Sequence, residues 1–140
     1  HHGAHYNTAY KIFLNHPIVG IGVKNFYKES IKEKYFNPNY RMTNMRASTH
    51  PHNIWLQLLS ETGIIGFLIF FSLTFYLLLK SIKRYSKNKN AYILFSSSLF
   101  FSLIFPMLPS GSFFSTFNGN ILWLSIGLCA LFLYKKNDKF

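Results

Sequence analysis

The chain predicts an all-α membrane protein, with about three helical spans preceded by a partly helical loop segment on the extracytoplasmic side. Three observations carry this. Apolar residues make up 49% of the 140 positions, 16 of them Phe, while only 14% are charged. The apolar residues gather in three stretches late in the chain, with no internal repeat and no low-complexity tract. Lysine and arginine follow the first and last of those stretches almost without acids, the distribution expected where helices emerge on the cytoplasmic side. A soluble helical domain of this size would carry more acids and expose fewer aromatics.

Residues 1–53 form the loop segment and 54–140 the membrane region. The segment begins His1-His2 without Met, which reads as a natural fragment truncated at its N-terminus. It is basic: Lys11, Lys24, Lys28, Lys32, Lys34, Arg41 and Arg46 outnumber Glu29 and Glu33. With the cations split between two sides of a bilayer, a phosphate-bearing lipid suits them better than nucleic acid, so no nucleic-acid partner is expected.

The next element is a helix start. In Ser48–Gly66, Pro51 suits the first helical position and biases His50 toward the extended conformation of a cap. His52 and Asn53 then fall in the first turn, where the helix dipole favours neutral imidazole and a nearby anion. At about 100° per residue, Asn53, Gln57, Ser60 and Glu61 share one polar arc. Gly63 and Gly66 lie on the other side, open to close approach by a helix or an acyl chain.

The spans are placed at about 55–79, 91–108 and 119–134. The first is the cleanest, the second is diluted by Ser96, Ser97, Ser98 and Pro106, and the third is shorter than the roughly 20 residues of a full crossing. Lys80, Lys83, Arg84, Lys87 and Lys89 follow the first span, and Lys135, Lys136 and Lys139 the last. With both clusters cytoplasmic, the uncharged turn 109–120 and His52 belong on the opposite face.

Among candidate groups, His52 is placed as a general base, because neutral imidazole can accept a proton from a hydroxyl. His50, two residues away across Pro51, need not converge with it and is either a cap or a substrate contact. Arg46 and Arg41 lead into His52, and a guanidinium grips phosphate in a two-pronged fork that an ammonium cannot copy. Lys24 follows the Gly20-x-Gly22 turn, where small residues admit a ligand to the backbone. His1, His2, His5, His50 and His52 are numerous, yet no carboxylate or cysteine stands at ligand spacing beside them, so no metal is expected. The single Cys129 excludes an internal disulfide.

His52-Asn53, nine residues and then Gly63-Ile64-Ile65-Gly66 resembles a signature of the O-antigen ligase and polymerase superfamily of bacterial membrane glycosyltransferases. The earlier block Asn15-His16-Pro17-Ile18-Val19-Gly20-Ile21-Gly22-Val23-Lys24-Asn25-Phe26 is similar to the stretch that precedes it in that family. The resemblance is strongest from Tyr6 to Phe71 and only compositional afterwards.

It implies a multi-pass protein of the bacterial inner membrane with its active site on the periplasmic face. The implied reaction is metal-independent, needs no cofactor and inverts the sugar. A glycan passes from a polyprenyl-pyrophosphate carrier to an acceptor hydroxyl, most simply lipid A–core, which His52 activates. Substrate contacts fall to Arg46, Arg41, Lys24, His5, His50 and Asn53. Many family members carry an arginine at about the place of His2 or His5, so either a histidine binds the pyrophosphate here or Arg41 or Arg46 does. A repeat-unit polymerase uses similar parts, and a transport or scaffold subunit is the non-enzymatic alternative. A transporter would place ionisable groups within its spans; these spans offer hydroxyls.

Overall fold

The computed structural model describes residues 2–36 and 43–135. Arg41 and His1 lie outside the described residues, as do Lys136, Asp138 and Lys139. The described chain is all-α: α1 (His2–Asn15), the short α2 (Phe26–Ser30), two single 3-10 turns at Glu33–Tyr35 and Thr43–Met45, then α3 (Ile54–Asn88), α4 (Ala91–Ile104) and α5 (Thr116–Tyr134).

Two apolar cores hold it. Phe70, Leu77, Ile93, Phe100, Leu122, Cys129 and Leu133 interlock α3, α4 and α5. A smaller core of Ala9, Ile12, Phe26 and Tyr35, with Ile21 and Leu56 against it, fastens α1 and α2 to the first turns of α3. Small residues on α1 make this possible, since Ala4, Thr8 and Ala9 are all buried there. The outward faces of α3 to α5 stay apolar, with Ile69, Phe75, Phe95 and Leu124 exposed. Such a surface suits helices that lie in lipid.

The three apolar stretches are all helical, two of them long and one shorter. Two described helices, α3 and α5, are long and apolar enough to cross a membrane. The expected span at 91–108 is instead a 14-residue helix, about 21 Å long at 1.5 Å per residue. It stops short because Pro106 cannot donate to the ladder and disfavours helix before it. Its end is covered by Trp55, whose Nε1 donates to Ile104 O at 2.8 Å. Two of the serines that dilute it turn their hydroxyls onto their own helix, Ser97 to Ile93 O at 2.6 Å and Ser96 to Ile93 O at 3.2 Å, which satisfies them without water. Lys80, Lys83, Arg84 and Lys87, which follow the expected first span, are still helical. They ride on α3, which continues to Asn88 and ends on a left-handed Lys89 (φ 50°).

Within α3 the helix breaks at Gly63, where φ is 65° and ψ −167°, a region open essentially to glycine. Such a break strands backbone groups on both sides, and the loop after α1 takes them up. Ile64 N donates to Pro17 O at 2.8 Å and Ile65 N to Ile18 O at 3.3 Å; Ile21 N donates to Ser60 O at 3.1 Å and Gly22 N to Glu61 O at 2.9 Å. A Cβ on Gly63 would sit 2.2 Å from Ile18 O, and one on Gly20 would sit 2.4 Å from the Glu61 carbonyl carbon. The close approach anticipated at Gly63 is therefore made by the chain's own backbone, and it unites the two sequence blocks in one joint.

Candidate active site

The start of α3 differs from the expectation. The helix begins at Ile54 and Asn53 is its cap, with Oδ1 accepting from Trp55 N and Leu56 N, both at 3.1 Å. His52 stands before the helix in left-handed backbone (φ 58°), so the helix-dipole argument for its neutrality does not apply. Left-handed backbone is uncommon outside glycine and marks a residue whose surroundings over-determine it. Here those surroundings grip its carbonyl: Ser110 N donates to His52 O at 3.0 Å and the Tyr6 hydroxyl at 3.4 Å.

Around the His52 ring the fold collects three more imidazoles. Ring centroids lie 4.2 Å away for His50, 4.9 Å for His2 and 5.3 Å for His5. His2 and His5 come from the first turns of α1, and spacing three apart puts them on one face of that helix. His50 thus converges with His52 after all, because the left-handed turn folds the chain back on itself. Ser48 Oγ lies 3.4 Å from His52 Nε2, and Thr49 Oγ1 lies 3.0 Å from His50 Nδ1.

Electrostatics follows from this crowding. Burial first, and then the neighbouring His50, His2 and His5, bring His52 down to about 4. His5 is lowered chiefly by burial, against a hydrogen bond to the Arg46 carbonyl, and His50 chiefly by burial, against the Ser110 backbone. At neutral pH the His52 ring is a free proton acceptor. The causes are burial and then the neighbouring imidazoles, neither of which a helix start supplies. Among the described residues no group of three His, Cys, Asp or Glu is arranged to hold a metal ion.

The polar arc of α3 turns inward. Gln57 is buried, its Oε1 accepting from Phe113 N at 2.8 Å while Nε2 donates to Ser112 Oγ at 2.9 Å and to Glu61 Oε2 at 3.1 Å. Glu61 Oε1 accepts from Phe26 N at 3.0 Å. Asn53 Nδ2 donates to Pro106 O at 2.8 Å. These residues dock two loops, 17–26 and 105–113, onto the helix, and the second brings Ser110 to His52. Sequence periodicity gave the arc but could not say that protein covers it.

The expected substrate contacts divide. His5 and His50 reach the His52 cluster; Asn53 adjoins it with its amide committed to the cap and Pro106. The Arg46 guanidinium turns elsewhere, donating to Ile31 O at 3.2 Å, pairing with Glu33 at 3.5 Å and lying 5.5 Å from the Phe36 ring centroid. Lys24 is exposed, in left-handed backbone, on the loop docked at Glu61, about 12 Å along α3 from Asn53. Glu29, for which the sequence suggests no role, anchors the basic segment: it binds Lys32, Lys34 at 2.7 Å and the Tyr35 hydroxyl at 2.9 Å. Burial alone would raise its carboxyl, but these hydrogen bonds outweigh it and hold it at about 2. Tyr6, Ser48 and Ser110 also escape sequence reasoning, since only the third dimension brings them to His52.

The His52 cluster and the 105–113 loop lie at one end of the helices. The other end is basic: Lys80 Nζ donates to the Tyr76 hydroxyl at 2.8 Å, and Arg84 Nη2 to Lys135 O at 2.6 Å, joining α3 to the end of α5. In a comparison with known families, residues 3–71 match the family described as O-antigen ligase. The match takes in both sequence blocks, the Gly63 joint and three of the four clustered histidines, His5, His50 and His52. No curated protein and no solved structure matches the chain.

Proposed function

Through residues 3–71 the chain belongs to the O-antigen ligase superfamily, a membrane glycosyltransferase group, and from that membership we propose that it moves a glycan from a polyprenyl-pyrophosphate carrier to an acceptor hydroxyl. Lipid A–core is the proposed acceptor, which makes the reaction a ligation at the periplasmic face of the bacterial inner membrane. The observation that carries this reading is the His52 ring: neutral, set in left-handed backbone, and placed where α3 begins its long apolar run.

In the proposed step, the acceptor O–H gives its proton to His52 while its oxygen attacks the anomeric carbon. The bond to the pyrophosphate oxygen breaks on the opposite face, and polyprenyl pyrophosphate departs with the electron pair. Attack opposite the leaving group inverts the sugar, and no metal enters. A base with a pKa of about 4 is weak, but an arriving pyrophosphate raises the pKa of a nearby imidazole. The donor would thereby strengthen the base that serves it. His5 and His50 supply imidazole hydrogen bonds toward the phosphate, and Asn53 positions His52 by capping the adjoining helix.

This has a pH signature. His52 holds less proton in the folded protein than in the unfolded chain between about 4 and its ordinary 6.5, so stability rises with pH across that window and is lost as pH falls through it. The acid limb of kcat/KM reports the free enzyme and is expected close to 4, with the limb of kcat displaced upward by bound donor. An acid limb of kcat/KM at 6.5 would remove the crowded imidazole from the reaction.

Arg46 is the proposed pyrophosphate clamp, with Arg41 or Lys24 as the other cations available to it. Its pair with the exposed Glu33 is screened by water, so in this proposal an anion replaces Glu33 and the Ile31 carbonyl as the guanidinium's partners. Arg46→Ala in the full-length enzyme is expected to raise KM for the lipid-linked donor about tenfold or more, with Arg46→Lys intermediate because ammonium lacks the fork. Unchanged donor kinetics in Arg46→Ala would pass the role to another cation.

A further inference from the structure

A second site lies at the end of α3 remote from His52. Lys80, Lys83, Arg84 and Lys87 follow one another at spacings of three and four, which places them along one stripe of the helix. With Tyr76 and Leu79 they line a cleft of about 470 Å³. Like charges at these spacings repel, and residues 80–90 contain no acid.

The stripe is nevertheless held in order. Lys80 Nζ donates to Tyr76 and Tyr134 hydroxyls at 2.8 and 3.4 Å, and lies 5.1 and 4.9 Å from their ring centroids. The two hydroxyls also hydrogen-bond each other. Arg84 is fixed to the Lys135 carbonyl. Lys83 and Lys87 remain exposed on the open side of the cleft. One wall of the cleft is apolar, formed by the exposed Tyr76 and Leu79, and Ile82 beside them on α3 is exposed as well.

We propose that this cleft binds the phosphate-bearing headgroup of an anionic phospholipid in the leaflet where α3 ends. Three features select that ligand together. The cations require an anion, the volume suits a headgroup, and the apolar wall continues into the lipid-facing surface of α3, where acyl chains lie. Basic clefts at the ends of membrane helices bind anionic headgroups by this combination of charge and depth. The site is independent of glycan transfer, since it is at the opposite end of the helices from His52.

The test uses the full-length protein extracted in mild detergent from nanodiscs of phosphatidylcholine containing a minority of cardiolipin, with retained lipid counted by native mass spectrometry. Cardiolipin is expected to be retained over phosphatidylcholine. Each basic residue near an anionic surface contributes about a fivefold preference, so Lys83→Gln with Lys87→Gln is expected to lower cardiolipin retention about 25-fold. Lys83→Arg with Lys87→Arg should keep it, and labelling of a single introduced cysteine checks that neither pair alters topology. Equal retention in the Gln pair and the parent, or loss of retention in a Lys24→Gln, Lys28→Gln pair instead, would overturn the proposal. So would displacement of cardiolipin by millimolar inorganic phosphate, which would show a site for the free ion.

Discussion

Replacing His52 by alanine is expected to reduce glycan transfer by about 10²–10⁴-fold, the usual contribution of a positioned general base. Membrane insertion and abundance should stay near those of the parent. The ring is half-buried and its own polar contact, to Ser48 Oγ, is long at 3.4 Å, so little packing depends on it. The backbone is the complication, because position 52 is left-handed (φ 58°). His52→Asn therefore accompanies it, since asparagine enters left-handed backbone readily yet offers no comparable base. The measurement is transfer to lipid A–core in a strain lacking its own ligase, or with purified donor and acceptor. If His52→Asn inserts normally and transfers at the parental rate, the proposed base is wrong.

The second large effect concerns stability. Gly63→Ala is expected to destabilise the protein by on the order of 3–5 kcal/mol, combining a glycine-only backbone region with overpacking. The new Cβ meets Ile18 and Val19 backbone at 2.2–2.6 Å, and backbone cannot step aside as a side chain does. Gly20→Ala meets Glu61 and Thr62 across the same joint and should cost a similar amount, with the double variant less than additive because one joint fails once. Gly127→Ala is the contrast: nothing lies within 4 Å of its added Cβ, and a mid-helix alanine should be neutral or slightly stabilising. Thermal unfolding in detergent, followed by helical signal, checks all three. A Gly63→Ala protein with parental Tm would mean that the joint does not carry the fold.

The two effects are connected through position. The Gly63 joint ties the loop after α1 to α3, and α1 carries His2, His5 and Tyr6 to His52. A loosened joint should therefore weaken transfer even where some folded protein survives.

Much of this was legible in the chain. The apolar stretches gave the all-α class and the long helices, because lipid-facing helices need apolar residues on all exposed faces. The arc Asn53, Gln57, Ser60, Glu61 was legible from the 3.6-residue period alone. Motif spacing pointed to His52. What failed were boundaries and partners. Pro51 suggested a helix start, but the side-chain cap at Asn53 is the stronger local signal, and it moved the helix three residues on. The present partners of Arg46, among them Glu33 and Phe36, are also contacts that distance along the chain does not give. Arg41, the other guanidinium, lies outside the described residues.

By itself, then, the sequence determined periodicity, hydropathy and charge, each a local property that sums along the chain. It specified helices, their apolar faces and a basic end at Lys80–Lys87. The tertiary structure alone decided which groups meet. His2, His5, His50 and His52 come from segments more than forty residues apart, and their convergence, with the lowered pKa that follows, depends on α1 packing against α3. Ser110 reaches His52 only because Gln57 and Asn53 dock the 105–113 loop. A pKa set by neighbours and burial cannot be read from a linear string, because both terms depend on distances that folding creates.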